Sequence, residues 1–142
     1  MKTYLIALTA ALSFTAEAAS LTVKTTDAQV AEGATFAFGC FRGADLHLRF
    51  EKVPHEHQIP ERAELEVSAG NQSQLLPVTL RAFKLGPVQD VGVTLSATPV
   101  LDLIRTSQDG VSVRLPGLAV PVSAHFDVDA TARLRTAAQR CK

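Results

Sequence analysis

The chain has no tryptophan, and its single tyrosine, Tyr4, lies in the N-terminal stretch. That argues against a carbohydrate platform built on those large rings. It has no surplus of either charge, with Lys and Arg totalling 14 and Asp and Glu totalling 14. Binders of nucleic acid or of anionic membranes carry a basic surplus, so neither partner is expected. There is no Gly-rich phosphate loop and no G-x-S-x-G elbow to present a nucleophilic serine. Beyond the N-terminus no apolar run approaches the roughly 20 residues that span a bilayer, so no membrane insertion is expected. Cysteine is nearly absent too, leaving only Cys40 and Cys141.

The N-terminus itself reads as an address. Lys2 supplies a positive charge, an apolar stretch runs over residues 4–14, and Ala16-Glu17-Ala18 has a small-x-small cleavage pattern. Together these features make a secretory signal over residues 1–18, leaving a single mature domain over residues 19–142. The expected location is the bacterial periplasm or the exterior. In an oxidising compartment two cysteines pair, and no CxxC spacing or neighbouring His suggests another role for them. A Cys40–Cys141 bridge would close a loop of about 100 residues, worth nominally ~4.7 kcal/mol through chain entropy and often less in practice.

Most of the mature chain alternates with period two, interrupted by turn signals about every ten residues. Leu46, Leu48 and Phe50 alternate with His47, Arg49 and Glu51, the pattern of a half-buried strand. Similar runs occupy residues 21–25, 35–41, 64–68, 75–85, 91–95, 100–105, 111–115 and 118–122. Pro77 belongs at an edge or a bulge because it lacks a donor. Asp109-Gly110 suits the positive φ of a hairpin turn and Pro116-Gly117 the centre of a type II turn. The pattern predicts an all-β fold, an antiparallel β-sandwich or small barrel of about eight strands.

After Phe126 the period changes. Asp127 fits an N-cap, and Ala130, Leu134, Ala137, Ala138 and Cys141 share one helical face. Arg133, Arg135 and Arg140 are left to face water. The fold is therefore expected to end in one C-terminal α-helix, pinned by the disulfide to the strand carrying Cys40. The run Leu118-Ala119-Val120-Pro121-Val122-Ser123, followed by the helical residues 130–138, resembles the ending of small proteobacterial periplasmic proteins of the invasion-associated locus B type. That family's additional cysteines are missing here. The resemblance implies a secreted β-domain acting in the envelope or at a host interface, and it carries over no catalytic residue.

The one concentration of chemistry is His47, His55 and His57, with Glu51 and Glu56 nearby. Imidazoles with a carboxylate suit Zn²⁺ or Cu²⁺. His47 and His55 stand about 26 Å apart if the chain is extended, so only a sharp turn at Val53-Pro54 would unite them. Otherwise residues 54–60 form a solvated loop. His125 with Asp127, Asp129 and a serine can be drawn as a triad, but no nucleophile elbow supports it. Glu51, Glu56, Glu61, Glu64 and Glu66 offer carboxylates, although Glu64 and Glu66 fit the wet face of a strand.

Other features favour binding. Arg49, Arg81, Arg105 and Arg114 recur at outward strand positions, and arginine is enriched at protein interfaces. Phe41 and Phe83 are expected as core beneath the terminal helix, with an exposed contact patch as the alternative. The expectation is a non-enzymatic β-domain that binds another protein: an envelope component, an inhibited enzyme or a host factor. A metal-binding protein using His47, His55 and His57 is the alternative, and a hydrolase comes third.

The bridge gives a direct test. Reduction, or Cys141→Ala, should lower the unfolding free energy of the mature domain by about 2–4 kcal/mol. A thermal midpoint indifferent to reduction would exclude the staple.

Overall fold

The structure, a computed structural model, describes residues 20–39, 45–54 and 58–140. The expected signal segment, both cysteines, Phe41, Glu56, His55 and His57 lie outside the described residues. The described residues form nine strands: β1 (Ser20–Thr25), β2 (Ala28–Gln29), β3 (Gly33–Gly39), β4 (Asp45–Pro54), β5 (Arg62–Ala69), β6 (Gln72–Leu85), β7 (Val88–Ser96), β8 (Val111–Leu115) and β9 (Val122–Phe126). Among the described residues two helices accompany them, α1 (Ala97–Thr106) and α2 (Val128–Arg140).

The strands form one antiparallel sheet in the order β1-β3-β4-β7-β6-β5-β8-β9-β2. Because β1 and β2 are consecutive in the chain yet stand at opposite edges, the N-terminal segment itself draws the sheet into a nearly closed barrel. It pairs first with β3 and then, two residues later, with β9. At the crossing His125 donates its backbone N–H to Asp27 O at 2.8 Å, and Thr25 Oγ1 donates to His125 O at 2.7 Å. The return into β3 bends at Val30, whose φ is 72°. A β-branched residue there costs on the order of 1–3 kcal/mol in backbone strain.

The period-two reading places the core correctly. Phe36, Leu46, Leu48, Phe50, Leu65, Val67, Val91, Val93, Val113 and Phe126 all point inward and are buried. The Phe36 and Phe126 rings meet at 4.8 Å, joining β3 to β9 through the interior. Pro77 behaves as its missing donor requires, since β6 pairs only with β5 there and joins β7 from Thr79 onward. Gly70 and Gly86 each take positive φ as the first of two loop residues, the position glycine fills in tight hairpins.

The strand expected over residues 118–122 begins only at Val122, as β9, and Val120 before it is exposed; three further readings need correction. Residues 97–106 are helical, not a strand. Pro99 sits in the first turn, where a missing N–H breaks no helical hydrogen bond. Val100, Leu103 and Ile104 fall at three- and four-residue steps and are buried. Val100 and Ile104 are β-branched, which suggested a strand, but packing against the core decided otherwise. Gly117 does not take the positive φ a type II turn demands. Gly110 does not either, and it precedes β8 outside any hairpin. Glycine is needed there for space, because a Cβ would lie 2.5 Å from Phe126 O and 2.7 Å from the His125 ring.

Helix α2 starts as expected, with Asp127 Oδ1 accepting the Ala130 N–H at 2.8 Å and Ala130 and Leu134 buried. Arg133 is exposed. Arg135, expected in water, is half-buried and donates to Ile104 O at 3.3 Å and to the carbonyl of Ser107. Those carbonyls lie at the C-terminal end of α1, where a cation meets unsatisfied acceptors and the negative end of the helix dipole. Arg135→Ala should therefore cost about 1.5–3 kcal/mol in urea unfolding, whereas Arg133→Ala should leave the midpoint nearly unchanged. Equal effects would refute the capping role.

Candidate binding groove

The outward residues of β1, β3, β4, β7 and β6 come into lateral rows because the register is fixed strand by strand. One row reads Lys24, Thr35, Arg49, Gly92, Arg81. The next reads Thr22, Ala37, His47, Thr94, Thr79. All of these but Thr79 line a groove of ≈ 590 Å³ on the outer face of the sheet.

Gly92 determines the shape of the groove. It has no side chain between Arg49 on β4 and Arg81 on β6, so the ring of Phe83 can lie across the sheet. A Cβ on Gly92 would stand 3.3 Å from Phe83 Cε2, tighter than ordinary contact. Both guanidiniums then settle beside that ring, with Arg49 Cζ and Arg81 Cζ each 5.4 Å from its centroid. Each such contact is worth about 0.5–1 kcal/mol at an exposed site. Phe83 is 39% exposed, so the expectation that it is core is wrong. Residue 83 alternates outward on β6, away from both helices.

A bulge in β4 orients one of the two arginines. The register shifts between Phe50 and Val53, and Lys52 takes φ 56°. Its freed N–H donates to Asp90 Oδ1 at 3.0 Å, while Asp90 Oδ2 faces Arg49 Nη1 at 3.9 Å. Glu51 accepts a hydrogen bond from Thr35 Oγ1 at 2.6 Å. The groove thus presents three cations, an exposed ring and two carboxylates on a floor of small residues. Such a surface can hold charged and aromatic groups of a ligand.

The other candidate residues fare differently. His47 is exposed on the groove face. β4 stays paired with β7 through Val53 and Pro54, and His55 and His57 lie outside the described residues. Among the described residues no group of three His, Cys, Asp or Glu side chains is placed to hold a metal ion. Glu64 is exposed, and Glu66 faces Arg114 at 3.9 Å, both on the wet face. Arg49, Arg81 and Arg114 do point outward from strands, whereas Arg105 lies on α1 near Asp102.

His125 does meet a serine. Ser112 Oγ and His125 Nδ1 stand 2.8 Å apart as direct cross-strand neighbours of β8 and β9. Of the two acids drawn for that triad, Asp127 caps α2 and Asp129 is exposed in the helix's first turn. The pair lines a smaller cleft of ≈ 230 Å³ on the opposite outer face.

Sequence reasoning singled out Arg49, Arg81 and Phe83 but missed Lys24, Asp90 and Gly92. The available signal was Gly92 itself, a glycine inside the alternating run Val91-Gly92-Val93. Such a glycine often marks a close approach by another group. No family model, curated protein or solved structure matches this chain. No helix among the described residues is long and apolar enough to cross a membrane.

A double-mutant cycle on Arg81→Ala and Phe83→Ala, measured by urea unfolding, should return a coupling energy of about 0.5–1 kcal/mol. A value near zero would mean that ring and guanidinium merely lie near each other.

Proposed function

We propose that this chain is an exported, non-enzymatic β-domain that binds another protein, and that the groove over Gly92 is its contact face. The supporting observation is the exposed stack of Arg49, Phe83 and Arg81. Arginine and large aromatic side chains dominate the energetics of protein interfaces. Guanidiniums already resting on a ring have less rotamer freedom to lose on binding, which leaves more of the contact energy as affinity. Leu85, 55% exposed and also on β6, extends the apolar part of the patch. An envelope or host-interface setting is what the resemblance of residues 118–138 implies, and the partner classes remain an envelope component, an inhibited enzyme or a host factor.

Site-specific photo-crosslinking tests this reading. A Phe83→benzoylphenylalanine variant, expressed in its native cells, should form a discrete adduct. The same probe at Ser68, on the opposite outer face, should form none. Identical adducts from both positions, or none from position 83, would overturn the groove as the contact face.

A further inference from the structure

Resting on that reading, we infer that the partner segment seated in the groove is an acidic polypeptide, recognised through its carboxylates by the row Lys24, Arg49 and Arg81. The three cations come from β1, β4 and β6, and register alone brings them to one level of the sheet. Lys24 and Arg49 stand two strands apart, as do Arg49 and Arg81, or roughly 10 Å per step at the usual strand spacing. The row therefore spans the groove crosswise and offers several points of attachment to an extended segment.

Among the described residues the groove carries three cations against two carboxylates, which leaves one positive charge over. Asp90 approaches Arg49 at 3.9 Å. No carboxylate of the described residues lies within 4.0 Å of Lys24 or Arg81. Glu51 is engaged by Thr35. By contrast, Arg114 on the other outer face has Glu66 beside it. The side chains between the cations are small, Thr35 and Gly92 in the row and Ala37 beside it, so a ligand backbone can come close to the sheet.

The two carboxylates of the groove determine which anion fits. Asp90 and Glu51 stand among the cations, so a densely charged polyanion such as polyphosphate would meet repulsion along with attraction. An acidic polypeptide carries its carboxylates one at a time. It also brings backbone N–H donors that Asp90 and Glu51 can accept, and apolar groups for the Phe83 ring. A chain with no net charge exerts no long-range pull on polyanions, which again favours local, spaced recognition.

The test uses the mature domain and a fluorescein-labelled peptide of alternating glutamate and serine, read by anisotropy. Binding should weaken about five-fold for Lys24→Gln and again for Arg81→Gln. It should survive Arg81→Lys better than Arg81→Gln, ignore Arg114→Gln, and fall with added salt. Absence of peptide binding, equal losses in the Arg114→Gln control, or tighter binding of tripolyphosphate than of the peptide would each overturn the inference. The two readings fail separately. An adduct at position 83 without peptide binding removes only the acidic character of the partner, while loss of both removes the binding face itself.

Discussion

The rest of the structure depends on one crossing, where residues 25–29 leave β3 and pair with β9. The hydrogen bonds of Thr25 and Asp27 to the His125 backbone close a sheet that would otherwise end in two open edges. Closure turns the inner rows toward one another, so Phe36 on one side and Phe126 on the other become neighbours. An open sheet of nine strands would leave that apolar face wet and its edges free to pair with other chains. The strained φ at Val30 persists because the pairing on either side of the turn holds it there.

Closure also explains the helices. The helices add to the interior, and Val100, Ile104, Ala130 and Leu134 join the same core as the strands. The two helices pack on each other, and Arg135 of α2 satisfies carbonyls at the end of α1. The C-terminal helix is therefore a structural member that completes the core and caps its neighbour. The functional candidates are left to the outer faces of the sheet, where nothing in the described chain covers them. One of these faces holds a serine–histidine pair in an ordinary cross-strand position. The other holds an aromatic ring laid over a glycine with a guanidinium on either side.

Legibility in the sequence follows the range of the interaction involved. Alternation in β4, β5, β7 and β8 was readable because burial of one face repeats every second residue. The α2 start was readable because Asp127 and Ala130 are three residues apart. Helix α1 was misread because Val100 and Ile104 favour strands locally, while their burial beside α2 depends on residues thirty positions away. Phe83 was misplaced for a similar reason. The alternation of β6 shows that residues 83 and 80 point in opposite directions, but which direction is outward depends on how the sheet curls.

Sequence by itself determined the antiparallel β class, the inward rows and the terminal helix, because each rests on periodicities of two or of three to four residues. Only the tertiary structure decided that the sheet curls into a nearly closed barrel and that Lys24, Arg49 and Arg81 share one row. Those three are separated by tens of residues, and their adjacency is a property of strand order and register. Register is set by the sum of many inward contacts along five strands. No local pattern in the chain encodes that sum.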